Sequence, residues 1–308
     1  MLQYLIILLD NQSTSFCHYD IAKTERRLMP LDNLREGIRF GMMENLMIQF
    51  VYPDYELPKA YNDAIESIDH TKIKPTKEGA DVLVMNGFSD ADALVPVTLR
   101  VGKKELLANE TKIVELLKKV PRLNVVLTDI ETFTEKDFAD YKMFLESLSE
   151  AVRDLYLDGK TPQLNLLTDR MMLSAMNNCG AGETSITLAP NGKFYVCPAF
   201  YYDDDTDNVG GLELGVDIKN KQLYQLDHAP ICRHCEAWQC KRCVWLNRKT
   251  TLEVNTPSHE QCVLTHLERN ASRRLMNDIR RFGSFLPEQG DIEEIDYLDP
   301  FDKREDWL

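Results

Sequence analysis

The sequence predicts an α/β protein whose second half changes character. Six short apolar runs recur through the first 167 residues, and helix-like stretches separate several of them. Seven of the eight cysteines then fall between positions 179 and 262. Short apolar runs are the pattern of strands buried on both faces. Strands alternating with helical crossovers argue for a parallel sheet.

The strand candidates are Tyr4–Leu9, Leu46–Tyr52, Val82–Met85, Val97–Val101, Asn124–Asp129 and Gln163–Leu167. A helix is expected from Leu31-Asp32 to about Asn45, and another from Leu57 to Ile68. Glu105 to Val120 shows a period of three to four residues and is closed by Pro121. Thr134 to Leu157 opens on the capping-box-like Thr134-Glu135-Lys136-Asp137 and ends at Gly159. The crossover from Phe88 to Leu94 has room for a single turn. Periodicity alone does not separate an open twisted sheet from a partial barrel.

Near Met176 strong periodicity stops, and Gly, Pro, Asn and Cys become frequent. Ile186–Leu188 and Lys193–Val196 flank Pro190-Asn191-Gly192 and are expected to form a hairpin with an Asn-Gly turn. A helix is expected from about His259 to Ile279, capped by Ser258, and the polar, acidic chain from Phe282 onward is expected to extend along the surface, its acidic run a solvated, loose tail. The expected division is thus 1–175, 176–282 and 283–308.

A chain of 308 residues with 44% apolar composition can bury a substantial core. No apolar run approaches a membrane span. Leu5-Ile6-Ile7-Leu8-Leu9 is short, lacks a basic leader and a small-residue cleavage site, and reads as a buried strand. A cytoplasmic location is therefore the expectation, and in that reducing compartment clustered cysteines more often bind metal than form disulfides. The formal charge of −14 disfavours a nucleic-acid partner, because phosphates would be repelled. Acid collects in Asp203-Asp204-Asp205 and from Asp291 to Asp306, while Arg269 to Arg281 is locally basic.

The cysteines are spaced as Cys179, twelve residues, Gly192, four residues, Cys197; then Cys232-x2-Cys235-x4-Cys240-x2-Cys243; then Cys262. Two CxxC knuckles so close together predict a metal site, since such a turn lets two thiolates converge while backbone N–H groups point at sulfur. Two pairs can make one all-thiolate zinc site. Seven thiolates divide better into four and three, which suits two iron–sulfur clusters, the second with an open or foreign ligand. Zinc is the alternative metal.

This order of spacings resembles the SPASM module, the auxiliary-cluster domain appended to many radical SAM peptide-modifying enzymes. Its usual third block is CX2CX5CX3C, so this chain is one residue short in each of the last two spacings. The resemblance implies that Cys179, Cys197 and Cys243 hold a first [4Fe-4S] cluster, and that Cys232, Cys235, Cys240 and Cys262 hold a second. It also implies that the first part is a partial (β/α)6 barrel of the radical SAM kind. That chemistry needs CxxxCxxC after the first strand, where Asp10 to Asp20 supplies Cys17 alone. Such enzymes also end the second strand in Gly-Gly-Glu, where this chain has Val51-Tyr52-Pro53-Asp54-Tyr55-Glu56. No residues are thus expected to bind S-adenosylmethionine, and the chain is not expected to be a self-sufficient radical SAM enzyme. Cys17 and His18 remain as weak catalytic candidates, a thiolate beside an imidazole. Asp10, Asp54, Glu56, Asp129 and Glu131 fall at strand ends, as pocket lining or helix caps. Trp238, Trp245, Tyr201 and Tyr202 are candidates to shield a cluster or to form a small core.

A narrower resemblance runs along the whole chain. Leu5-Ile6-Ile7-Leu8-Leu9-Asp10 with Ser15-Phe16-Cys17-His18-Tyr19, then Met47 to Pro58, Cys243 to Lys249 and Asn255 to Cys262, are similar to the CXXX repeat peptide maturase family. That family lacks the radical SAM cluster motif and goes with ribosomally made Cys-x-x-x repeat peptides and a separate radical SAM maturase. The resemblance implies a post-translational peptide modification protein, or a peptide-presenting scaffold with structural metal.

Overall fold

The apolar run after Gln3 forms β1 (Tyr4–Leu8), in which four of five residues are buried. The computed structural model describes residues 1–21, 23–89, 93–173, 179–238, 240, 242–295 and 297–299. In chain order there follow α1 (Leu31–Met43), β2 (Met47–Val51), α2 (Lys59–Ile65), β3 (Thr71–Lys74), β4 (Val82–Asn86) and β5 (Val97–Val101). Next come α3 (Lys103–Leu107), α4 (Glu110–Leu117), β6 (Leu123–Leu127), α5 (Glu135–Leu157), α6 (Thr168–Met172), β7 (Ser185–Leu188), β8 (Phe194–Tyr195) and α7 (Pro198–Asp203). A two-stranded ribbon of β9 (Gly210–Gly211) and β10 (Gly215–Val216) precedes α8 (Val244–Thr251) and α9 (His259–Arg280). The protein is mixed α/β with a parallel-strand sheet. No described helix is long and apolar enough to cross a membrane.

The chain gathers into two compact units, each built from two stretches: Met1–Val84 with Gly180–Ala229, and Met85–Cys179 with Pro230–Leu308. This grouping differs from a linear division at residue 175. In the first unit β1 is flanked by parallel β2 and parallel β7, with Ile7 opposite both Phe50 and Leu188. The Asn191-Gly192 hairpin forms as expected, with Gly192 at φ +75°. Its first strand nevertheless belongs to the parallel sheet, so the hairpin serves this unit. α1 lies close on the sheet because Gly37 and Gly41 face it. A Cβ on Gly41 would stand 2.6 Å from Ile48 Cδ1, and one on Gly37 would collide with Leu188.

Strand β3 is absent from the sequence expectation. Thr71-Lys72-Ile73-Lys74 buries only Ile73, so no apolar run marks it. Conversely, Gln163–Leu167 is not a strand. It makes one isolated bridge, Leu164 to Leu123. The Asn165 side chain replaces the ladder, accepting from the Val125 N–H (2.8 Å) and donating to the Val125 carbonyl (2.9 Å). The apolar residues there record burial, not pairing: Leu164, Leu166 and Leu167 are fully buried.

In the second unit β5 and β6 pair in parallel, Leu99 opposite Val125. The helix expected over Glu105–Val120 is two helices. Asn109 leaves the helical region (φ −130°, ψ 36°), and its amide donates to the Glu105 carbonyl at 2.7 Å. The crossover at Phe88–Leu94 includes residues 90–92, which lie outside the described residues. α5 and α9 form as expected, each opened by a full capping box, Thr134 with Asp137 and Ser258 with Gln261. A buried ion pair ties them to α6. Glu268 on α9 accepts from Arg170 and from the Tyr141 hydroxyl, both at 2.6 Å, with both charged side chains almost fully enclosed.

The tail is not loose where it is described. Residues 291–295 and 297–299 run along the basic face of α9. Asn270 clamps the Ile295 backbone from both sides, at 2.9 and 3.1 Å. Arg269 donates to the Glu293 carbonyl, Arg273 meets Glu294 at 3.2 Å, and His259 meets Asp299 at 2.5 Å. The acidic and basic runs of the sequence are therefore partners. Residues 300–308 lie outside the described residues.

Candidate metal centre

Four of the predicted ligands converge in the second unit. Cys232 begins a single 3₁₀ turn, Cys232–His234, closed by the Cys235 N–H donating to the Cys232 carbonyl at 3.1 Å. Cys262 sits in the first turn of α9, held there by the Ser258 cap. Cys232, Cys235, Cys240 and Cys262 together line one narrow pocket of about 20 Å³, whose other walls include Ile231, Ala237 and Pro257. Cys232 and Cys262 are buried, and Cys235 and Cys240 are half-buried.

Burial dominates the electrostatics of these thiols. Desolvation, reinforced by the neighbouring cysteines, pushes Cys232 up to about 12 and Cys235 to about 11, and Cys262 rises further still. Alone, Cys232, Cys235 and Cys262 stay protonated at neutral pH. A bound cation would supply the positive charge that makes thiolates of them. Donors are already in place for those thiolates. The Ala237 N–H points at Cys235 Sγ (3.4 Å), and the Arg242 N–H points at Cys240 Sγ (3.2 Å). The donor set and its dry, shaped cavity therefore fit a thiolate-bound metal group. Among the described residues no three His, Cys, Asp or Glu side chains stand close enough to grip one ion. A tetrahedral zinc thiolate site needs sulfurs roughly 3.8 Å apart, given Zn–S bonds of about 2.3 Å.

Of the remaining three predicted ligands, Cys179 and Cys243 lie in the second unit and Cys197 in the first. Cys243 is the N-cap residue of α8, with the Trp245 and Leu246 N–H groups directed at its sulfur. Desolvation, with Cys179 close enough to add to it, raises Cys243 to about 12. Cys197 stands before Pro198 at the start of α7.

The loop after β1 is packed shut. Ser13, Thr14, Ser15 and Tyr19 are buried. The Ser13 hydroxyl donates to the Val51 carbonyl (2.7 Å), and the Tyr55 hydroxyl to Asp10 (2.9 Å). Tyr201 donates to Asn11 (2.5 Å), and the Tyr19 ring stacks on Tyr202 with centroids 5.4 Å apart. Tyr201 and Tyr202 thus fill this loop of the first unit. Cys17 and His18 are half-buried on the same loop. Burial raises the Tyr19 hydroxyl far above its usual range, with Tyr202, Cys17 and Cys197 adding to it, so both thiols lie within electrostatic reach of that oxygen. Of the acidic strand-end residues, Asp129 accepts from the Lys103 N–H at the start of α3 (2.9 Å), and Glu131 pairs with Lys249 (2.6 Å). Asp54 pairs loosely with Arg26 (3.4 Å), and with Glu56 it lines an open polar pocket beside Lys72 and Lys74. In the second unit Trp238 is half-buried, and Lys249 lies over the Trp245 ring at 5.2 Å.

Two charged or titratable residues of the cysteine pocket escaped the sequence reading, Arg242 and His266. His266 had a usable signal, since it follows Cys262 by four residues and so shares its helix face. Arg242 adjoins Cys243 with no pattern to single it out.

No family model matches the chain, and no curated protein matches it in sequence. Solved structures do. The chain is similar to anSMEcpe with bound AdoMet and the Cp18Cys peptide, at 14% identity and a TM-score of 0.62, over 91% of this chain and 99% of that one. It is similar to a histidine-tagged form of anSMEcpe with bound AdoMet, at 14% identity and a TM-score of 0.63, over 91% and 100%. A third, native anSMEcpe with bound AdoMet and the Kp18Cys peptide, gives 14% and 0.55 over 90% and 99%. What is shared at this identity is the fold.

Proposed function

We propose that this chain is a peptide-maturation protein that carries iron–sulfur clusters and works on a ribosomally made, cysteine-repeat peptide of the Cys-x-x-x kind. The observation that carries the proposal is the convergence of Cys232, Cys235, Cys240 and Cys262 on one buried pocket. Those four would hold one cluster, a [4Fe-4S] site if the resemblance to SPASM modules holds. Cys179, Cys197 and Cys243 would hold another, with one iron open to a substrate thiolate.

The two-cluster arrangement within a partial (β/α)6 barrel and a SPASM-like module is the finer form of the same reading. Support comes from the fold shared with anSMEcpe, which has been captured with AdoMet and with peptides. The packed loop after β1 favours dependence on a separate radical SAM maturase, with this chain supplying electron transfer or substrate thiolate binding.

The decisive experiment is the metal and sulfide content of protein kept from oxygen. Iron and sulfide in near-equal amounts, with peptide binding by the reconstituted protein, are the expected results. Colourless protein carrying only zinc sinks the cluster reading. It would favour the second reading, a peptide-presenting scaffold with structural metal, for which the closed loop after β1 also speaks. Added S-adenosylmethionine and reductant should release no deoxyadenosine.

A further inference from the structure

The four-cysteine pocket is ringed by buried groups that a purely structural metal would not require. His266 is 1% exposed, and its Nε2 stands 3.7 Å from Cys235 Sγ. A metal-bound thiolate has lone pairs and no proton, so the ring nitrogen facing it must carry the proton and donate. Tyr297 meets the His266 ring edge-on at 5.3 Å and fixes its plane. Arg242, 3% exposed, reaches Cys232 with its guanidinium and Cys240 with its main-chain N–H. Arg269, 5% exposed, acts on Cys235 from the same side as Glu236, whose carbonyl it holds at 3.1 Å. The opposing charges are Glu236, which is exposed to water, and Asp299 near Cys262, which is bonded to His259.

We propose that His266 and Arg242 tune the cluster held by Cys232, Cys235, Cys240 and Cys262, raising its reduction potential so that it serves as an electron acceptor. The inference rests on the cluster reading given above. The physical basis is charge. One-electron reduction adds a negative charge to the cluster and its thiolates, with no bond made or broken. Hydrogen bonds and cations at the sulfurs therefore stabilise the reduced form more than the oxidised one. In a dry site the difference is large, because water does not screen it. The electron comes from an external one-electron reductant.

The test is a potentiometric titration, followed by electron paramagnetic resonance, on anaerobically reconstituted full-length protein. Iron and sulfide are measured on every sample. His266→Phe removes the donor and should move the midpoint to a more negative potential. His266→Gln keeps an N–H donor and should stay near the wild type. Arg242→Met should shift in the same direction as His266→Phe, and Arg242→Lys less. Should His266→Phe fail to hold iron, the Arg242 pair decides alone. Iron-loaded variants with unchanged potentials overturn the tuning role and leave the cluster standing. Wild-type protein without iron and sulfide overturns the cluster reading itself.

Discussion

Two cysteine-bearing places in this protein have opposite fates. The loop after β1 holds one cysteine, and aromatic rings fill the space around it: Tyr19 on Tyr202, with Tyr201 bonded to Asn11. The pocket beside α9 holds four cysteines, which line one small, mostly apolar-walled cavity of about 20 Å³. A loop packed and bonded within the protein in this way is a finished core. A pocket of thiols raised in pKa by burial is an unfinished one, and a cation would complete it. The difference sets the candidate metal site in the second unit apart from the closed loop of the first.

The sharpest way to break this comparison is to delete one cysteine from each place. Cys262→Ala should abolish metal binding at the four-cysteine pocket, whereas Cys17→Ala should leave iron and sulfide per chain unchanged. Equal losses in the two variants would erase the distinction.

The next effect concerns the scaffold behind the pocket. Glu268→Gln leaves Arg170 charged and enclosed without its carboxylate partner. Breaking such a buried pair costs about 3–5 kcal/mol. Urea unfolding of the variant should show that loss, and an unchanged midpoint would mean that the pair is not enclosed. On the other side of the comparison, Tyr19→Ala opens a cavity in the packed loop and should cost about 3 kcal/mol, without creating a metal site.

Smaller effects come from the caps. Ser258→Ala removes the acceptor for the Gln261 N–H at the start of α9 and should cost about 1 kcal/mol. Because Cys262 lies in that first turn, metal retention should fall with it. The smallest effect is pH-dependent. Hydrogen bonds from Lys103, then from Thr134, hold the Asp137 carboxyl down at about 2. A carboxyl lowered on folding contributes stability that is full above its unfolded value near 3.8 and is lost as pH falls through 2. Asp137→Asn should therefore be less stable than the wild type at neutral pH, and the gap should close as pH falls toward 2. A constant gap would assign the effect to packing instead.

How much was legible follows from these same residues. β1 and β5, buried on both faces, announce themselves as apolar runs, and the capping boxes of α5 and α9 are local patterns. β3 was invisible because a strand with one buried residue in four has no run to show. Gln163–Leu167 misled for the opposite reason. Its leucines are buried, but after two main-chain bonds to Leu123 the Asn165 side chain takes over the pairing, and no pattern in the chain encodes that exchange. Spacing announced a metal site at the two knuckles, and the set that includes Cys262 came from the resemblance to SPASM modules. His266 was readable as the residue four beyond Cys262 on one helix face, whereas Arg242 is placed by one main-chain turn. The tail misleads because complementary charge between distant runs reads, in sequence, as two solvated faces.

That tail has a consequence for how the protein folds. The segment around Ile295 follows Cys262 in the chain and is held by the two-sided clamp of Asn270, with Arg273 on Glu294 and His259 on Asp299 beside it. α9, and Cys262 with it, can therefore form before this strap is laid along it.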